Sequence, residues 1–155
     1  MLSTNDRSTI PLTSEQRVWL RANSVLPVVS LLGVLGAAGL LGSCIFSRFI
    51  GAPFVALLAL AVAALFLVML VGVGRYAYQH YADLRLGVAY VRSAELLQKR
   101  ATTQSPRSFS AEFKDIGVIT IMYDVYQTLD VGQQYRVTYS PHTRRGWFVE
   151  RLQVF

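Results

Sequence analysis

Residues 22–47, ANSVLPVVSLLGVLGAAGLLGSCIFS, and residues 49–74, FIGAPFVALLALAVAALFLVMLVGVG, carry no charged side chain, and only Arg48 stands between them. Crossing the hydrocarbon core of a bilayer, roughly 30 Å thick, takes about 20 apolar residues at about 1.5 Å rise each. Each run is therefore long enough to span with some tilt. Buried instead in a water-soluble protein, two such helices would need a larger polar shell than the rest of the chain supplies. The sequence predicts a helical hairpin, two transmembrane helices with Arg48, Phe49, Ile50, Gly51, Ala52 and Pro53 at the bend, and Pro53 suits the first turn of the second helix.

So short a bend makes the two helices antiparallel neighbours. Lipid gives little reward for packing Leu on Leu, so membrane helices approach through small side chains. Gly36, Gly39 and Ser43 share one stripe of the first span, and Ala56, Ala59 and Ala63 one stripe of the second. Folding about Phe49 and Ile50 sets Ser43 opposite Ala56, Gly39 near Ala59 and Gly36 opposite Ala63, which predicts the helix–helix seam. Gly33, Ala38 and Gly42 are left to dock a partner helix.

Composition agrees with a membrane setting. The chain has 155 residues, 53% of them hydrophobic and only 15% charged, with a mean hydropathy of +0.39. Arg17 and Arg21 precede the first span, Arg75 and Arg85 follow the second, and the bend holds Arg48 alone. Excess Lys and Arg mark the cytoplasmic side, so the expectation is a multi-pass protein of the cell (inner) membrane with both termini cytoplasmic. Trp19, Tyr76, Tyr78 and Tyr81 then form an aromatic belt of interface anchors. Leu41, Gly42, Ser43 and Cys44 resemble a lipoprotein cleavage box, but a leader of more than 40 residues is too long for a signal peptide. Cys44 reads as a packing residue.

Three segments follow: a tail with a short interfacial helix over 1–23, the hairpin over 24–81, and a small soluble domain over 82–155. Residues 1–12 read as irregular. Thr13 and Gln16 make a capping box for a helix to about Ala22, after which Ser24 caps the first span with Pro27 in its first turn. After Tyr81 the period becomes alternating. Leu84, Leu86, Val88 and Tyr90 alternate with polar or small residues, as do Phe109, Ala111 and Phe113; Val118 to Val125 is the strongest strand, Tyr135, Val137 and Tyr139 alternate with Arg136, Thr138 and Ser140, and Trp147 to Leu152 closes the chain. Residues 94–100 fit strand or helical turn equally. Five or six short strands predict a small antiparallel β barrel or sandwich.

The stretch from Leu129 through Gly132, Tyr135, Arg136, Val137, Tyr139 and Pro141 to Thr143, with Glu150 in the closing strand, resembles the ending of uncharacterised bacterial two-span membrane proteins. The order of parts is similar to that of NfeD-like proteins, whose membrane helices carry a small OB-type barrel. That resemblance implies an OB- or SH3-like module, and it speaks to architecture rather than activity.

Chemistry is sparse. One Cys and two His exclude an intrachain disulfide framework and a Cys/His zinc site. From Ser24 to Ser47 and from Phe49 to Gly74 there is no Asp, Glu, Lys, Arg, His, Asn or Gln to line a transport path or ligate a haem. Ser140, His142 and Asp130 supply the residue types of a hydrolytic triad but crowd one hairpin. No catalytic residue, cofactor or metal is expected. After Gly74, eleven Lys/Arg face seven Asp/Glu, and Tyr135, Arg136, Tyr139, Arg144, Arg145 and Trp147 form a candidate binding face. Anionic lipid headgroups suit it better than nucleic acid, because a tethered domain meets them first. The expectation is a non-enzymatic accessory, stabilising or scaffolding subunit working through other membrane protein subunits; the alternative is a tethered binding module.

Overall fold

The computed structural model describes residues 8–49, 53–103 and 107–152. Two helices dominate it: α1 (Ser14–Phe49) and α2 (Pro53–Leu86). Both are long and apolar enough to cross a membrane, and their apolar stretches are almost wholly exposed. A soluble core helix has the opposite signature, apolar and covered. The chain divides into two compact units, Val18–Ala82 and a second made of Met1–Arg17 with Asp83–Phe155.

Within the helical unit, Asn23 Oδ1 accepts a hydrogen bond from Tyr76 Oη at 3.2 Å, and the Trp19 and His80 rings lie 5.3 Å apart. Both pairs are symmetric in sequence about the 49/50 position, so the antiparallel register is the one the hairpin arithmetic predicts. Ile50, Gly51 and Ala52 of the expected bend lie outside the described residues. Pro53 opens α2 as expected.

The face is different. Least exposed on α1 are Leu20, Ser24, Leu31, Leu35, Ala38 and Gly42, and on α2 Val55, Ala59, Phe66, Val73, Ala77 and His80, a near-heptad stripe on each. Of the predicted seam only Ala59 is half-buried; Gly36, Gly39, Ser43, Ala56 and Ala63 are exposed. A methyl group placed on Gly36 or Gly39 would meet nothing within 4 Å. The α1 residues expected to pack sit one position beyond those that do, a rotation of about 100°.

Thr13 and Gln16 form the reciprocal capping box: Thr13 N donates to Gln16 Oε1 at 3.0 Å and Gln16 N to Thr13 Oγ1 at 3.3 Å. The expected break at residues 22–24 is absent. Ser24 Oγ instead donates to Arg21 O, Asn23 Nδ2 donates to Trp19 O, and Pro27 lies inside one continuous helix. Proline there removes one helical hydrogen bond, a loss this long helix absorbs.

Helix α2 runs to Leu86, five residues past the point where alternation was expected. Leu84 and Leu86 are helical because Ala, Leu and Arg favour helix and the terminator comes only at Gly87. Gly87 has φ +70 and donates from its N to Asp83 O, closing the helix with a left-handed cap. Its carbonyl then accepts from Leu12 N.

That bond brings in β1 (Ser8–Pro11), a strand where the sequence reading left residues 1–12 irregular. It pairs antiparallel with the start of β2 (Val88–Ala101), which also settles residues 94–100 as strand. β3 (Phe109–Phe113) and β4 (Gly117–Ile121) follow across the expected turn, with Asp115 and Gly117 at positive φ. Residues Tyr123–Thr128 form a short helix, α3, where Tyr123 to Val125 had been read as strand. Here packing overrides β propensity: the Phe109 ring lies 4.9 Å from Tyr123 and 5.1 Å from Tyr126, and Lys99 Nζ donates to the carbonyls of Tyr126 and Leu129. β5 (Gln134–Tyr139) and β6 (Gly146–Arg151) complete a six-stranded antiparallel sheet, ordered β4-β3-β2-β5-β6 with β1 on β2. The sheet is not a closed barrel. Its edges β4 and β6 meet at one parallel bridge, Thr120 with Arg145. Around one core lie Leu96, Phe113, Ile119, Leu129, Tyr135 and Val137.

Candidate binding site

The β unit is curled by β2, which pairs with β1 and β5 in its first half and with β3 in its second, across an irregularity between Leu96 and Gln98. Tyr90 and Arg92 share the core-facing side of β2 with Ala94 and Leu96, but lie toward its open end. There Arg92 Nη1 donates to Asp115 O at 2.9 Å, and Arg144 Nη1 donates to Ile116 O at 2.8 Å. Two arginines thus tie the β3–β4 turn across a mouth of about 260 Å³ walled by Tyr90, Tyr139 and Pro141.

Arg144 is held in the left-handed region, φ +53, uncommon for a residue with a side chain. Its surroundings determine it: Arg144 N donates to Ser140 O, Thr120 N donates to Arg144 O, and the guanidinium is bound as above. Next in sequence, Gly146 is required by close approach. A Cβ there would lie 3.0 Å from Ile121 Cγ2 and 3.2 Å from Ile119 Cδ1.

The same turn is gripped from the end of α2. Asp83 is fully buried, and its two carboxylate oxygens accept from His142 N at 2.9 Å and Thr143 N at 2.8 Å. Two backbone donors pair with the charge that burial would otherwise penalise. The sequence reading passed over Asp83; an acid one turn before a helix-ending glycine is its one visible trace.

On the opposite side of the sheet lies a cleft of about 390 Å³, lined by Ser8, Ser93, Thr138, Arg92 and Arg136, with Ile10 and Val91 as apolar wall. Arg92 borders both hollows.

The six residues expected to form one binding face are divided. Tyr135 and Tyr139 are core residues, 2% and 4% exposed; Tyr135 Oη accepts from Asp130 N, and Tyr139 packs edge-on to Tyr90 at 6.1 Å. Strand alternation forces this, since Arg136 lies between the two tyrosines and points the other way. Arg144 is at the mouth, Arg136 at the side cleft, and Arg145 lies 5.3 Å over the Trp147 ring. Of the expected anchors, Trp19 and Tyr76 pack on the buried His80, and Tyr76, Tyr78 and Tyr81 are all exposed. His80 Nδ1 meets the Tyr76 carbonyl at 2.8 Å, and a carbonyl only accepts, so Nδ1 carries the proton.

The residue types of the hydrolytic triad make separate contacts among the described residues, His142 through its backbone alone. Ser140 Oγ accepts from Trp147 Nε1 at 2.7 Å, Asp130 pairs with Arg151 at 3.4 Å, and His142 donates its backbone N–H to Asp83. Among the described residues no group of three or more His, Cys, Asp and Glu side chains is placed to hold a metal ion. No family model, curated protein or solved structure matches the chain.

Proposed function

We propose that this chain is a non-enzymatic, multi-pass protein of a cell membrane, acting as an accessory or scaffolding subunit that carries a small β module on a helical hairpin. The observation that carries this reading is a contrast in burial: the helices expose Leu40, Leu41, Leu57, Leu60, Leu65 and Leu67 along their lengths, while the β unit encloses its own apolar core. Exposed aliphatic helices of this length are stable in lipid and aggregation-prone in water. Gly36 and Gly39 add support, because a helix with open glycines lets another backbone approach closely.

In the β unit, β2, β3 and β4, then the short helix α3, then β5 and β6, with Thr120 of β4 in a parallel bridge to Arg145 just before β6 and β1 added beside β2, favour a partly open OB-type barrel. The arginine asymmetry supports a topology with both termini cytoplasmic. The NfeD-like layout fits the same order of parts.

Purification of the full chain from its native membrane in mild detergent tests the subunit role. The expected result is a stoichiometric membrane partner that Gly36→Leu with Gly39→Leu removes without altering the far-ultraviolet spectrum. A monomer across several mild detergents would overturn it. Orientation is read by labelling a cysteine at Gln98 in a Cys44→Ser background, where labelling from outside the intact cell would contradict the proposed topology.

A further inference from the structure

The side cleft differs from the mouth in what its polar groups are doing. At the mouth, both arginines are spent on backbone carbonyls. In the cleft, the side chains of Ser8, Ser93, Thr138 and Arg136 make no hydrogen bond or ion pair with any described residue. Arg136 faces Ser93 across one ladder and Glu150 across the other, yet forms no ion pair with that carboxylate. Ser8, Val91 and Thr138 stand in one row across β1, β2 and β5, and Ser93 and Arg136 in the next. Three hydroxyls and a guanidinium therefore open onto one hollow, whereas the Arg92 guanidinium is held at the mouth by its bond to Asp115 O. No carboxylate is among the described residues that line it.

We infer that this cleft is a binding site for a phosphate-bearing anion. Unspent donors arranged without an acid select an anion, and the number of separate donors matches an oxyanion with several acceptor oxygens better than a carboxylate. The volume lies within the roughly 300–1,000 Å³ of small-molecule sites, so a phosphate ester fits with its organic part on Ile10 and Val91. A lipid headgroup and a soluble phosphate compound share this chemistry. The inference is independent of the subunit role, since a cleft of this kind serves a monomer equally well.

The test titrates inorganic phosphate into the full chain held in phosphatidylcholine nanodiscs at low salt, followed by calorimetry. Wild type is expected to bind saturably, Arg136→Ala to bind about ten-fold or more weakly, and Thr138→Val, which removes only a hydroxyl, several-fold more weakly. Arg100→Ala, on an exposed site bridged to Glu112, is expected to bind like wild type. Repeating the titration with phosphatidic acid in the disc separates the sources. A headgroup occupant lowers the apparent affinity for phosphate in wild type and not in Arg136→Ala, whereas a soluble ligand leaves it unchanged; either result supports the site. Absence of saturable binding, equal binding by wild type and Arg136→Ala, or an equal loss in Arg100→Ala would overturn it. So would oligonucleotide binding that depends on Arg136 while phosphate alone fails to bind.

Discussion

The helical unit and the β unit solve the same problem in opposite ways. Leu57, Leu60 and Leu67 on α2 are 68%, 72% and 64% exposed, whereas Leu96, Ile119 and Val137 in the β unit are fully covered. In the β unit apolar residues specify the fold by being buried together, each contributing about 1.5–3 kcal/mol against water. In the hairpin they specify only which solvent the helices need. Directional contacts between the two helices are Trp19 with His80 and Asn23 with Tyr76.

The sharpest way to break this comparison is to truncate one residue of each kind. Phe113→Ala, at a site 1% exposed, should cost about 3–5 kcal/mol in denaturant unfolding of the full chain in detergent. Leu60→Ala should leave the unfolding midpoint within about 0.5 kcal/mol, the range of substitutions that lose no buried contact. Comparable losses would mean that Leu60 is packed against protein and not exposed on the helix surface.

Next in size is Asp83→Ala, which strips two part-buried backbone donors of their acceptor. About 3 kcal/mol of stability should be lost, with faster hydrogen exchange at the His142 and Thr143 amides. Unchanged protection at those amides would show that the turn holds without the carboxylate.

The glycines sharpen the contrast further. Gly146→Ala drives a methyl group against Ile119 and Ile121 and should cost about 1–3 kcal/mol. Gly39→Ala meets open space and should stabilise the isolated chain by up to about 1 kcal/mol through helix propensity. A loss smaller than that of any core variant is expected at Thr13→Ala, where removal of the reciprocal cap costs about 1 kcal/mol and frays the first turn of α1. Helicity by circular dichroism and exchange at Gln16 check it.

What the sequence made legible follows the same division. Long uncharged runs, the Thr13 and Gln16 cap, Pro53 at a helix start and the turns at Gly117 and Gly132 are local signals, and the structure carries all of them. Features decided by distant partners were not legible. β1 has no strand pattern of its own and exists because Leu12 and the start of β2 receive it. Residues 123–128 carry β-favouring side chains but fold as a helix over Phe109. The candidate binding face failed for a reason the sequence did contain, since alternation separates Tyr135 and Tyr139 from Arg136. Ser8, Ser93 and Thr138 escaped notice because isolated hydroxyls become a site only when three strands set them side by side.

The most direct test of the central claim is depth. Spin labels at Leu40 and Leu60 on the helices and at Val131 and Phe148 on the β unit, all exposed positions, would be read in nanodiscs by collision with oxygen and with a water-soluble nickel chelate. The account predicts that oxygen relaxes the first pair and the chelate the second. Chelate access at Leu40 and Leu60 equal to that at Val131 would place the helices in water and contradict it.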